Sequence, residues 1–146
     1  MPNQSKAKGT RFESEVCKYL RDALNDERIE RRALHGSKDM GDIYGVRAHG
    51  FTGILECKAH KDVTPTLIER WRDQTVIERG NADADFSLLV VSVYRAPVGR
   101  SIVHVTLRDL ARIALPVAVC DGHMEMADGK WVRMTLDEAC ALIKGE

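Results

Sequence analysis

The sequence predicts one α/β domain in which helices flank a mixed β-sheet. The chain has 146 residues, a mass of 16.4 kDa and 44% hydrophobic residues, which suits one domain with its own core. Residues 53–93 have the pattern strand, helix, strand, and such a crossover makes its two strands parallel. The second of these strands, residues 86–93, is a nearly continuous apolar run, as expected for a strand buried on both faces.

The first half of the chain predicts an arm, a helix and three strands. Residues 1–9 are polar and basic and predict a flexible arm, which leaves residues 10–146 as the folded domain. The capping box from Thr10 to Glu13 predicts a helix that runs to about Asn25. A short strand over 29–34 and a hairpin are expected next, and the hairpin strands are 42–46 and 52–59.

The second half alternates helices and strands. Thr64-Pro65 predicts a helix that runs to about Arg79, because proline is tolerated in the first helical turn. Thr106 and Thr135 predict the caps of two later helices. The remaining strands are expected over 86–93, 101–105, 117–120 and near Trp131.

Composition excludes several functional classes. No apolar run approaches the roughly 20 residues of a membrane-spanning helix, and no apolar signal core is present. The four cysteines form no CxxC pair, so we expect reduced thiols and a cytoplasmic location. Lys plus Arg and Asp plus Glu are both 22, yet residues 1–72 hold 14 basic against 11 acidic side chains. This polarity permits phosphate binding on one side of the protein.

The most informative segment is the strand around Glu56-Cys-Lys58. Side chains alternate along a strand, so Leu55 and Cys57 are expected in the core, whereas Glu56 and Lys58 share the other face. Antiparallel pairing of the hairpin strands brings Asp42 beside Glu56. Two carboxylates about 4 Å apart repel by about 1–4 kcal/mol, so a compensating positive charge is expected.

A divalent cation would supply that charge. Mg²⁺ binds through one or two carboxylates together with substrate phosphate. Lys58 adds a compact cation that could hold a phosphate oxygen. Carboxylates, metal and lysine together are suited to phosphodiester hydrolysis. Each signal has an ordinary alternative: an acid and a lysine on a solvated strand face, Asp42 as a turn residue, and Glu13 as a helix cap.

The order of these motifs resembles the PD-(D/E)XK nuclease superfamily. Glu13 on a first helix, Asp42 after a glycine, and Glu56-x-Lys58 follow the order of that superfamily. The segments Lys8-Gly-Thr-Arg-Phe-Glu13, Gly36-Ser37 and Ile-Leu-Glu56-Cys-Lys58 resemble the archaeal-type Holliday junction resolvases. The resemblance covers roughly residues 8–95 and implies a restriction-endonuclease-like fold.

The resemblance also implies a homodimer that cuts four-way DNA junctions with Mg²⁺, for which Mn²⁺ could substitute. It assigns metal binding to Asp42, Glu56 and the Cys57 carbonyl, with Glu13 as an added acid near the metal. Lys58 would orient water or stabilise phosphate. Two further catalytic candidates are Ser37, as a loop serine, and Gln74, on the helix after Pro65.

Some features depart from the superfamily pattern. Met40-Gly41 precedes Asp42, so the proline of the superfamily name is absent, and Asp39 competes with Asp42 as the metal ligand. We favour Asp42 because a strand continues after it.

Four basic side chains are candidates for DNA contacts: Lys6, Lys8, Arg11 and His60. The expected function is a Holliday junction resolvase of a prokaryotic or phage repair context. The alternatives are a nuclease for flaps, ends or duplex sites, and an inert nuclease-fold protein that only binds DNA.

Overall fold

The computed structural model describes residues 4–33, 36–116 and 129–146. The elements are α1 (Gln4–Leu24), β1 (Glu30–Arg31), β2 (Ile43–Ala48), β3 (Phe51–Lys58), α2 (Pro65–Asn81), β4 (Phe86–Val91), β5 (Ile102–Thr106), α3 (Leu107–Ala114), β6 (Trp131–Thr135) and α4 (Leu136–Lys144). A short 3₁₀ turn, Val98–Arg100, precedes β5.

The six strands form one mixed sheet in the order β1-β2-β3-β4-β5-β6. The pair β3 and β4 is parallel, as the crossover predicts, and the other neighbouring pairs are antiparallel. The main core holds apolar residues of α1, α3 and α4 together with one face of the sheet. On the other face, Trp71 of α2 packs on Leu89 and Val91 of β4. The α/β prediction is therefore confirmed, and α2 covers the face on which Glu56 was expected.

Three predicted helix starts agree with the structure. The hydroxyls of Thr64, Thr106 and Thr135 each accept a hydrogen bond from a backbone N–H three residues on, at 3.1–3.2 Å. These contacts satisfy N–H groups that the first helical turn leaves without a partner.

The first helix corrects the prediction at the N-terminus. It begins at Gln4 rather than Thr10, so residues 4–9 are helical and do not form the flexible arm that was expected. Ser, Lys and Ala tolerate a helix, and Gly9 costs only about 1 kcal/mol relative to alanine. The Thr10–Glu13 pattern lies inside the helix and does not cap it.

Two predicted strands differ from the structure or cannot be compared with it. The strand expected over 29–34 is reduced to Glu30–Arg31, which pairs with Tyr44 and Ile43 at the edge of the sheet. The strand expected over 117–120 lies outside the described residues. Among the residues described, no helix is long and apolar enough to cross a membrane.

A buried ion pair fixes the far flank of α2. Arg79 donates to Asp109 of α3 at 2.8 Å, and the same carboxylate accepts the backbone N–H of Ser87 at 3.0 Å. Asp109 is fully buried, so these donors are needed to compensate its charge. The contact joins α2, α3 and β4.

Candidate active site

Glu56 lies at the centre of a group of carboxylates. The alternation of β3 places Leu55 and Cys57 in the main core and turns Glu56 to the opposite face, as predicted. Because α2 covers that face, Glu56 is only 4% exposed. A carboxylate in such a place is costly to ionise unless cations or hydrogen-bond donors surround it.

Asp42 lies beside Glu56, as the hairpin prediction required. Ile43 pairs with Leu55, and the Asp42 N–H donates to the Leu55 carbonyl at 2.9 Å. The Asp42 carboxylate in turn accepts the Cys57 N–H at 2.8 Å on Oδ2. Two backbone contacts therefore fix Asp42 against the strand that carries Glu56.

Gly41 allows the chain to enter this position. Its φ of +90° is in the left-handed region that favours glycine, and a Cβ here would lie 3.0 Å from Ile54 Cδ1. Glycine therefore permits the close approach of the loop to β3. The superfamily pattern has proline at this position.

Lys58 provides a positive charge at the same place. Its Nζ lies 3.3 Å from Glu56 Oε1 and 5.9 Å from the centre of the Trp71 ring. Glu56 and Lys58 are two residues apart on one strand and point to one face, as the alternation predicted. The lysine is partly buried and its ammonium group is held toward the carboxylates.

The structure adds Glu78, which the sequence analysis missed. Glu78 is on the inner face of α2, 1% exposed, and its Oε1 accepts a hydrogen bond from Gln74 Nε2 at 2.7 Å. One oxygen of each of Asp39, Glu56 and Glu78 lies within 4.8 Å of the other two. The available signal was helical spacing: Glu78 follows Trp71 by seven residues, so it continues the buried stripe of α2.

Both loop acids, Asp39 and Asp42, therefore lie near Glu56, but they make different contacts. Asp39 is exposed and belongs to the group with Glu78, whereas Asp42 is half-buried and accepts the Cys57 N–H. The side chain of Asn81 donates to the Asp39 carbonyl at 2.8 Å and ties the loop to α2.

Glu13 approaches from α1. It lies 3.8 Å from Arg31, and its burial, followed by the charge of Asp42, raises its pKa to about 7. The charges of Asp42 and Lys58 therefore act on the Glu13 carboxylate in opposite directions.

Burial and mutual repulsion control the charge of the whole group. Burial and, after it, the charge of the neighbouring Glu56 raise the pKa of Asp42 to about 7. Burial and the closeness of Glu78 raise the pKa of Glu56, and burial raises that of Glu78. Glu56 Oε2 and Glu78 Oε2 are buried without a hydrogen-bond partner. Such an oxygen-only donor set fits a hard divalent cation, which would stabilise the ionised forms.

The other predicted residues either line a groove or are exposed on the surface. Lys8, Arg11 and His60 line one groove of about 220 Å³ between α1 and the end of β4. Lys6 is exposed on α1, and Ser37 is exposed in the loop before Asp39.

A larger cavity of about 830 Å³, lined by Arg72, His104 and Arg133 among others, lies on the opposite flank of α2 from Gln74 and Glu78.

Similarity to known proteins extends over most of the chain. A family model described as "Phage putative PDDEXK endonuclease" matches residues 4–125. A search of curated proteins gives no match. A solved structure of Hjc, a Holliday junction resolvase from Archaeoglobus fulgidus, is similar at 18% identity and a TM-score of 0.43; the alignment covers 92% of this chain and 93% of that one.

The family match extends from the first turn of α1 past the end of α3 and includes every carboxylate of the site. It confirms the resemblance to the superfamily that Glu13, Asp42 and Glu56-x-Lys58 indicated. The chain therefore belongs to the phage family of PD-(D/E)XK endonucleases.

Proposed function

We propose that this protein is a Mg²⁺-dependent DNA endonuclease that cleaves four-way junctions as a homodimer. The observation that supports it best is the convergence of Asp42 and Glu56 with Lys58 on adjoining strands. An inert DNA-binding protein would have no need for buried, mutually repelling carboxylates, because these side chains lower stability without a cation.

Asp42, Glu56 and the Cys57 carbonyl would hold the metal, with Glu13 as an additional acid. When bound, such a cation polarises the scissile phosphate and lowers the pKa of water, so that hydroxide is available near neutral pH. Mn²⁺ has similar ligand preferences and is expected to substitute.

Lys58 would act on the substrate rather than on the metal. Its ammonium group is positioned to contact a phosphate oxygen and to stabilise the negative charge that grows in the transition state. The present contact with Glu56 at 3.3 Å holds the side chain in the site before substrate arrives. Gln74 would keep Glu78 oriented through its hydrogen bond, and Ser37 remains a candidate loop contact to the cleaved strand.

The groove lined by Lys8, Arg11 and His60 is the proposed path of the DNA backbone. It also contains Lys61 and Arg95. Several cations along one groove attract a phosphate chain, and Lys6 extends this charge along α1.

Junction specificity would follow from two-fold symmetry. A four-way junction presents two equivalent strands, and a symmetric dimer presents two equivalent sites. Leu107 and Leu115, at the two ends of α3, are exposed apolar side chains that could contribute to a dimer interface. The proposed setting is the cytoplasm of a prokaryotic cell that carries the phage gene.

The test is a cleavage assay on duplex, flap and four-way junction DNA with Mg²⁺, Mn²⁺ or EDTA. We expect paired nicks in the junction with either metal and none with EDTA. Glu56→Gln serves as the inactive control. Equal cleavage of all substrates would contradict junction specificity, and cleavage in EDTA would contradict the metal site.

A further inference from the structure

Helix α2 carries a carboxylate that is not among the ligands proposed for the catalytic metal. Glu78 is almost fully buried, and Gln74 occupies its Oε1 with a hydrogen bond of 2.7 Å. Its Oε2 is buried without a partner. A buried oxygen that is neither paired nor solvated is destabilising, so a ligand for it is expected.

Glu56 presents a second oxygen in the same condition. Lys58 contacts Oε1 of Glu56, whereas Oε2 is buried and has no hydrogen-bond partner. Asp39 completes the group, since one oxygen of each of the three side chains lies within 4.8 Å of the other two. Two of the three side chains in this group therefore each have a buried oxygen without a hydrogen-bond partner.

The position of Asp39 is itself fixed. Its Oδ1 accepts the Gly41 N–H at 3.0 Å, and Asn81 of α2 donates to its backbone carbonyl at 2.8 Å. The loop is thus attached to the helix that supplies Glu78. Gln74, Glu78 and Asn81 lie on one flank of α2. This helix therefore positions Glu78 through Gln74 and the Asp39 loop through Asn81.

We propose that Asp39, Glu56 and Glu78 bind a divalent cation at a position separate from the one bounded by Asp42 and the Cys57 carbonyl. Mg²⁺ and Mn²⁺ are the appropriate class, because the donors are all carboxylate oxygens. Gln74 is a positioning residue that holds Glu78 toward this cation. The inference rests on the proposed function in one respect: Glu56 serves both positions.

Separate positions follow from the contacts of the two aspartates. Asp42 is held by the Cys57 N–H on β3 and is not a member of the group that contains Glu78. Glu56 lies close to both Asp42 and Glu78. A cation shared with Glu78 is therefore on the α2 side of Glu56, and one shared with Asp42 is on the β2 side.

The experiment counts bound Mn²⁺ by electron paramagnetic resonance during titration of the whole protein without DNA. Glu78→Gln should bind one ion fewer than the wild type, and Asp39→Asn, on the exposed loop, should show the same loss. Glu69→Gln on the exposed face of α2 is the matched control and should bind as many ions as the wild type. Gln74→Leu should keep the number of ions and weaken the Glu78-dependent one by about 10-fold, as expected for a group that orients a ligand.

Thermal unfolding in EDTA controls for folding. Glu78→Gln should melt at or above the wild-type temperature, because it removes a buried charge. An equal ion count in wild type and Glu78→Gln would overturn the inference, and so would one ion that is lost in both Glu78→Gln and Asp42→Asn. Mg²⁺-dependent cleavage by the wild type tests the proposed function independently: absence of cleavage with a normal ion count would reject that function alone.

Discussion

Replacing Asp42 with asparagine should stabilise the metal-free protein while it lowers the cleavage rate by at least about 10²-fold. Burial and the neighbouring Glu56 raise the pKa of Asp42 from 3.8 to about 7. At 1.36 kcal/mol per pKa unit this rise corresponds to about 4 kcal/mol of unfavourable free energy for the ionised form. Because the side chain is half-buried and its surroundings can relax, we expect a gain of about 2–4 kcal/mol in the free energy of unfolding at pH 8.

The sign of the pH dependence follows from the direction of the pKa change. Between 3.8 and about 7 the folded state binds more protons than the unfolded state, so stability contributed by Asp42 is present at low pH and is lost as the pH rises. Asparagine does not titrate and can still accept the Cys57 N–H through its amide oxygen. The advantage of Asp42→Asn should therefore be largest at pH 8 and should disappear toward pH 4.

The assay is urea unfolding in EDTA at several pH values, followed by tryptophan fluorescence. Asp73→Asn on the exposed face of α2 is the control, with a change within about 0.5 kcal/mol at each pH. With Mg²⁺ and junction DNA, Asp42→Asn should lose at least about 10²-fold in rate. A variant that is less stable than wild type at pH 8, or a difference that does not vary with pH, would refute the reasoning.

Three other outcomes are expected. Lys58→Ala should lower the single-turnover cleavage rate by about 10²-fold and change junction affinity by much less, because its charge acts in the transition state; a matching loss of affinity would contradict this role. The double variant Lys8→Ala, Arg11→Ala should reduce the slope of log affinity against log salt by about 2, as measured by anisotropy, and an unchanged slope would remove the groove from the DNA path. Heterodimers of wild-type and Glu56→Gln subunits should nick one junction strand per binding event, whereas complete paired cleavage would show that one subunit acts alone.

The strand part of the site could be predicted from the sequence because strands have strict local rules. Alternation separates Glu56 and Lys58 from Cys57, and a short hairpin leaves few registers in which Asp42 can pair. The parallel pairing of β3 and β4 follows equally from the intervening helix. These inferences need only neighbouring elements, and the structure agrees with each of them.

The helical part could not be predicted in the same way. A glutamate on a helix is ordinarily a surface residue, and only the packing of α2 on the sheet shows that Glu78 is buried beside Glu56. The position of Asp39 depends on its contact with Asn81, which is 42 residues away. The start of α1 was predicted wrongly for a local reason. Gln4–Gly9 contains no residue that stops a helix, and Thr10–Glu13 has the sequence of a capping box although it lies inside the helix.

Adjacent residues of α2 connect the carboxylate group with the rest of the fold. Glu78 faces Glu56, and the next residue, Arg79, is bonded to Asp109 on the other flank. One residue inserted between Trp71 and Glu78 would rotate the following turn by about 100° and would remove both contacts together. Length variation among relatives should therefore be absent from Trp71–Arg79 and confined to the loops on either side of the helix. A random insertion library selected only for soluble expression should likewise contain no insertions within Trp71–Arg79, even with no selection for cleavage.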